Sequence, residues 1–150
     1  MKIIIIAGAG SRVGKTTILR SIQGLFQDSI TVKLGRAENK DKQEMLLPSD
    51  YSIAEIIRVV GRKPTYLLIE GNTILKNITP DLAIFVDGDP VNRRDDADDL
   101  RKKCDLIASK GLDCKQAFIL AERIGLANLK FGMLLNKLNI KVKKCEWGCF

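Results

Sequence analysis

The sequence predicts an α/β fold in which a mostly parallel sheet is covered by helices, followed by a small, basic helical appendage. Short apolar strands alternate with helical segments over residues 1–108, a pattern typical of parallel sheets. A glycine-rich loop stands between the first strand and the first helix. The net charge of +7 lies entirely in residues 101–150, because residues 1–100 are balanced. We therefore expect two regions, 1–108 and 109–150, with different roles.

The individual elements follow from apolar runs and turn signals. Ser52 and Glu55 predict a capping box at the start of one helix, which ends near Gly61. Residues 95–103 predict another helix, because acidic residues at its start and basic residues at its end interact favourably with the helix dipole. Residues 35–50 are polar and predict a long loop. The predicted strands are 2–7, 30–34, 66–69, 81–86 and 105–108, and the predicted helices are 14–26, 52–61 and 95–103.

The most specific motif is the segment Gly8–Thr17, whose sequence is GAGSRVGKTT. It follows a run of apolar residues and precedes an amphipathic helix, which is the setting of a phosphate-binding loop, or P-loop. Glycines let backbone N–H groups surround a phosphate, and the helix N-terminus adds a positive field. The residues predicted to bind a nucleotide are Gly10, Ser11, Arg12, Val13, Gly14, Lys15, Thr16 and Thr17.

Two side chains in this loop have defined roles. Lys15 is placed to reach the β and γ phosphates, and the Thr16 hydroxyl is placed to bind Mg²⁺. Ala9 stands where the usual pattern has its first glycine. Alanine is compatible with the loop if its φ stays negative.

Polar residues follow two of the predicted strands, where ligands of parallel sheets bind. Glu70 and Asn72 end one strand, and Asp87 ends another. We predict Thr16, Glu70 and Asp87 as metal ligands, and Lys15 and Glu70 as catalytic residues. The alternative for both acids is that they cap a loop at a strand end.

Composition narrows the classes of function. The chain has no histidine, so a catalytic base must be Asp, Glu, Lys or a water molecule. No run approaches the ~18 apolar residues of a membrane span, and no export signal is evident, so we expect a cytoplasmic protein. The cysteines are Cys104, Cys114, Cys145 and Cys149. They have three possible roles: burial as small apolar residues, a disulfide or redox pair, or a shared metal site.

The tail differs from the rest of the chain. Asp113 and Gln116 predict a capped helix to Ile124, and a second helix is predicted over 128–138. Ala121, Gly125, Phe131 and Leu134 have the spacing of a helix-turn-helix, and residues 140–144 alternate like a short strand. The basic charge suits nucleic acid. The competing interpretation is a helical hairpin that packs on the sheet or on a partner, including a second copy in a homodimer.

Several segments together resemble a known family. The chain resembles the molybdopterin-guanine dinucleotide biosynthesis protein B (MobB) family of P-loop NTPases. The similar segments are the loop Gly8–Thr17, the strand ends Val32-Lys33 and Ile69-Glu70-Gly71, and the segment from Pro80 to Ile84. The resemblance covers about residues 1–108. It implies that Gly14, Lys15, Thr16 and Thr17 hold phosphates and Mg²⁺, and that Glu70 faces the metal. The loop is also similar to that of dethiobiotin synthetase.

The expected function is therefore Mg²⁺-dependent binding and hydrolysis of GTP or ATP. The resemblance implies an accessory role in molybdenum cofactor biosynthesis with a maturation protein as partner. Two alternatives remain open: a nucleotide-responsive regulator that binds DNA through the tail, and an ATP-dependent ligase or kinase of the dethiobiotin synthetase type. Asn136-Lys137-Leu138-Asn139 lacks the final acid of a guanine-reading N-K-x-D motif, so it does not decide between the nucleotides.

Overall fold

The computed structural model describes residues 1–35 and 45–144. Within these ranges the chain forms an α/β structure, with one large sheet flanked by helices and one small sheet. The strands are β1 (Lys2–Gly8), β2 (Ser29–Leu34), β3 (Met45–Leu47), β4 (Tyr66–Glu70), β5 (Leu82–Val86), β6 (Leu106–Ile107), β7 (Leu112–Asp113) and β8 (Val142–Lys143). The helices are α1 (Lys15–Gln23), α2 (Ile53–Val60), α3 (Ala97–Lys102), α4 (Cys114–Ile124) and α5 (Asn128–Lys137), with a 3₁₀ turn at Thr73–Lys76.

The large sheet has six strands in the order β3-β2-β4-β1-β5-β6, and every described pairing in it is parallel. The central strand β1 pairs with β4 on one side and with β5 on the other. The carboxyl ends of these strands therefore lie along one edge, with Glu70 ending β4 and Asp87 following β5. This edge is where the sequence predicted a binding site.

Two apolar clusters form the core, one on each face of the sheet. Alternate residues of β1 separate between them: Ile4 and Ile6 belong to one cluster, while Ile5 and Ala7 belong to the other. Such alternation follows from the two-residue period of a strand. Strands β4 and β5 are buried along their whole length, which accounts for their apolar sequences; the exception is Glu70 at the end of β4.

The helical hairpin of the tail packs on one face of this sheet. Leu134 and Leu135 of α5 and Ile124 of α4 share a cluster with Ile4 and Leu68 of the sheet, and α5 contacts α1. Gly125 ends α4 in the left-handed conformation, with φ 67°. Strands β7 and β8 pair in parallel beside the hairpin. Packing on the sheet is thus the interpretation that these contacts support.

Several local predictions are confirmed. Ser52 and Glu55 form the capping box of α2, and Gly61 ends that helix with φ 74°. The helix α3 carries Asp98 and Asp99 in its first turn and bases in its last. The boundaries shift by a few residues at most ends, as is usual when termini fray.

Two local predictions are wrong. The predicted polar loop 35–50 contains the short strand β3, which pairs with β2. Asp113 precedes α4 but its side chain does not cap the helix, because it pairs with Lys144 at 3.3 Å instead. No helix in the described part of the chain is long and apolar enough to cross a membrane.

Candidate functional site

The glycine-rich loop connects β1 to α1 at the carboxyl edge of the sheet. Two of its residues have positive φ, Arg12 at 62° and Gly14 at 93°, whereas Ala9 is not among such residues. The condition for alanine at that position is therefore met. Ser11, Arg12 and Thr17 are exposed, while Val13, Gly14, Lys15 and Thr16 are partly buried.

The N-terminus of α1 faces this loop without a side-chain cap. The helix begins at Lys15, and no side chain accepts a hydrogen bond at its capping residue Gly14. The first N–H groups of a helix have no acceptor inside that helix. They carry partial positive charge and are suited to an anion such as phosphate.

The side chains of Thr16 and Glu70 meet beside this helix end. The Thr16 hydroxyl donates to Glu70 Oε2 at 2.7 Å, although 54 positions separate the two residues. Glu70 is only 5% exposed and is the one charged residue that is buried in the described ranges. Both side chains offer oxygen atoms, which are the ligands that Mg²⁺ prefers. The pair predicted from sequence is thus brought together, and its chemistry fits a magnesium ion.

Lys33 joins the same pair and was not predicted as a site residue. Its ammonium donates to Thr16 Oγ1 at 3.0 Å and lies 3.6 Å from Glu70 Oε1. Lys33 stands opposite Glu70 in the pairing of β2 with β4. The sequence shows Lys33 as a charged residue near the end of a half-buried strand, which is a weak indication of a site. It does not show that β2 lies beside β4, which is what brings Lys33 to Glu70.

Lys15 lies against the loop that precedes it. Its ammonium donates to the carbonyl of Gly10 at 2.5 Å. Burial lowers the pKa of Lys15; the Glu70 carboxylate opposes this, while the positive charges of Lys33 and Arg94 add to it. Arg94 is paired with Asp96, so two ammonium groups, those of Lys15 and Lys33, lie near one carboxylate, that of Glu70. Phosphate oxygens would offset that excess.

Asn72 holds the start of the loop. Its side-chain oxygen accepts from the N–H of Gly8 at 3.0 Å, and its side-chain nitrogen donates to the carbonyl of Gly8 at 2.9 Å. The sequence placed Asn72 at the strand end but gave it no role. The amide thus fixes the point where β1 becomes the loop.

Asp87 is the third predicted metal ligand, and its partners are arginines. Its carboxylate lies 4.0 Å from Arg93 and 3.4 Å from Arg101. Among the described residues, no group of three or more metal-ligating acids or cysteines forms. Asp87 therefore lies on the same edge of the sheet as Thr16 and Glu70 but pairs with a different set of residues.

The segment that follows β5 packs directly on the loop. The N–H of Arg94 donates to the carbonyl of Ala9 at 2.9 Å, and Gly10 forms an antiparallel bridge with Arg93. A Cβ on Gly10 would overlap the backbone oxygen of Asn92 and come within 2.7 Å of Pro90 Cβ. Glycine at position 10 is thus required by close backbone approach.

We expect Gly10→Ala to lower the free energy of unfolding by roughly 1–3 kcal/mol, because the loop or the segment around Asn92 must move. Gly24→Ala is the matched control, since Gly24 has φ −64° and open space around its Cβ position. There alanine should be neutral or stabilising by up to about 1 kcal/mol. Urea denaturation measures both, and equal effects would contradict the packing argument.

No family model, curated protein or solved structure matches this chain.

The cysteines divide between the two faces of the sheet. Cys114 lines a pocket with Ala121 and Phe131, which belong to the cluster that contains the tail helices, whereas Cys104 packs against the opposite cluster. Burial, and to a lesser degree the charge of Asp105, raises the pKa of the Cys104 thiol to about 12. Placement on opposite faces argues against a site that includes both. Cys145 and Cys149 lie outside the described residues.

Proposed function

We propose that this chain is a Mg²⁺-dependent nucleotide-binding protein of the P-loop kind that hydrolyses GTP or ATP. The observation that carries the proposal is the contact between Thr16 and Glu70 beside the uncapped start of α1, next to Lys15. A helix start without a side-chain cap, an ammonium and two side chains with oxygen atoms thus lie close together, which supports the proposal. A nucleotide polyphosphate with Mg²⁺ needs all three.

Each residue has a role in this proposal. The N–H groups at the start of α1 would hold a phosphate, and Lys15 would leave the Gly10 carbonyl to contact the β and γ phosphates. Thr16 and Glu70 would hold Mg²⁺, which when bound neutralises charge on the phosphate oxygens. The chain has no histidine, so its contribution to hydrolysis would be positioning and charge rather than a histidine base.

The pathway is proposed from the resemblance to the MobB family. It is an accessory role in molybdenum cofactor biosynthesis, in the cytoplasm, with a maturation protein as partner. Calorimetric titration with a panel of GTP, ATP and their diphosphates in Mg²⁺ tests which nucleotide binds. An assay of phosphate release then tests hydrolysis. Nucleotide turnover that requires a small-molecule substrate would favour the ligase or kinase alternative; a kinase leaves the phosphate on its product, whereas a ligase releases it.

Glu70→Gln tests the proposed metal role. We expect at least about tenfold weaker nucleotide binding in Mg²⁺, but less than about threefold change in EDTA, because the amide removes a negatively charged ligand of the cation and leaves the glycine-rich loop in place. Asp87→Asn is the matched control, since Asp87 pairs with Arg93 and Arg101. Calorimetry with and without Mg²⁺ measures both variants. An equal loss in both conditions would make Glu70 a structural cap.

Nucleic-acid binding through a helix-turn-helix in the tail is the alternative function. The helix α5 presents Leu129, 80% exposed, and Met133, 46% exposed, to solvent. Apolar side chains neither contact phosphates nor form hydrogen bonds to base edges. Asn128, Asn136 and Lys137 are also exposed on α5 and could contact base edges or phosphates, so experiment has to separate protein from DNA as the partner. A gel shift whose affinity falls with salt, at a log–log slope of about −0.9 per neutralised phosphate, would favour the alternative.

A further inference from the structure

Lys33 competes for the oxygen atoms that the proposed function assigns to Mg²⁺. The Thr16 hydroxyl has one hydrogen, which it donates to Glu70, and its oxygen accepts from Lys33 at 3.0 Å. The second carboxylate oxygen of Glu70 lies 3.6 Å from the same ammonium. Lys33 thus neutralises the buried carboxylate by contacting both members of the pair.

A magnesium ion and this ammonium cannot share the pair in its present arrangement. Mg²⁺ binds oxygen at about 2.0–2.1 Å in octahedral geometry, so it would lie beside the ammonium, which holds one of the two lone pairs of the Thr16 oxygen and faces the Glu70 carboxylate. A dication so close to an ammonium is also repelled by it. Lys15 adds further positive charge nearby. Metal entry therefore requires Lys33 to move to another anionic partner.

We propose that Lys33 is a built-in counter-cation of the Thr16–Glu70 pair, which makes divalent-cation binding depend on the phosphates of the nucleotide. The phosphates would accept Lys33 as it leaves Glu70 and would offset the combined charge of Lys15, Lys33 and the metal ion. This inference rests on the proposed function and concerns the order and coupling of binding at that site.

The test measures Mn²⁺ binding to the full chain by the electron paramagnetic resonance signal of unbound Mn²⁺, with and without nucleotide, after subtraction of the Mn²⁺ that the nucleotide binds in a protein-free titration. In wild type we expect weak Mn²⁺ binding alone and at least about tenfold tighter binding with nucleotide. Lys33→Met should bind Mn²⁺ alone at least about tenfold more tightly than wild type, because the competing charge is gone. Lys33→Arg, which keeps the charge, should resemble wild type.

Two controls locate the effect. Lys63→Met removes an exposed lysine and should leave Mn²⁺ binding as in wild type. The double variant Lys33→Met with Glu70→Gln should lose the gain, which assigns the tighter binding to this pair. Lys33→Gln repeats the experiment if circular dichroism shows that the methionine variant is unfolded.

The outcomes separate this inference from the proposed function. If wild type binds nucleotide but Lys33→Met and Lys33→Gln bind Mn²⁺ alone within about twofold of wild type, the inference is wrong and the proposed function stands. A gain that persists in the double variant also overturns the inference. If no variant binds nucleotide, the proposed function fails, and the coupling fails with it.

Discussion

Lys15→Ala is expected to weaken nucleotide binding by about 10- to 150-fold, because a lost charged hydrogen bond costs roughly 1.5–3 kcal/mol. In the protein alone the Lys15 ammonium donates to the carbonyl of Gly10, and burial lowers the pKa of Lys15. Removing a partly desolvated ammonium should therefore leave the fold intact.

Isothermal titration calorimetry with Mg²⁺ and the nucleotide chosen by the panel measures this effect. Lys63→Ala serves as the control, since its side chain is exposed on the loop before β4. The thermal midpoint of each variant shows whether folding is preserved. Unchanged affinity in a folded Lys15→Ala protein would overturn the assignment of the loop as a phosphate site.

Ending the chain at Ser109 is expected to abolish cooperative folding. The helices α4 and α5 cover one face of the sheet, so their loss would expose Ile4, Leu68 and the inner side of α1 to water. Each large apolar side chain uncovered costs roughly 1.5–3 kcal/mol, and a domain has only about 5–15 kcal/mol in total. The basic tail thus completes the core, whatever else it contacts.

Point variants in α5 test the same claim within the full chain. Leu134 is fully buried, so Leu134→Ala should cost about 2–5 kcal/mol. Leu129 is 80% exposed, so Leu129→Ala should change stability by less than about 0.5 kcal/mol. Urea denaturation followed by circular dichroism measures the free energy of unfolding of these two variants and of the chain that ends at Ser109. A cooperative transition in the chain ending at Ser109 would show that the sheet folds without the tail.

Local patterns were sufficient for much of this structure. The buried runs around Ile5, Leu68 and Ile84 are long enough to be recognised as strands without knowledge of their neighbours. The capping box of Ser52 and Glu55 depends on residues three apart, and the loop from Gly8 to Thr17 is contiguous. Each of these features is decided within about ten residues of sequence.

The remaining features depend on which elements become neighbours. Lys33 enters the site because β2 lies beside β4, and Asn72 reaches Gly8 across 64 positions. Asp87 pairs with arginines of the following segment, which a strand-end pattern cannot indicate. The strand β3 is three residues long and is defined by its pairing with β2 rather than by a pattern of its own.

The contacts of Asn72 and Arg94 with the loop have a consequence for binding energetics. Gly8 is held at both of its backbone polar groups, and Ala9 is held through its carbonyl, so the base of the loop is fixed by the fold itself. Fixing one backbone residue costs roughly 1–2 kcal/mol of conformational entropy. That ordering is complete before any anion arrives, so a larger share of the contact energy is available as affinity.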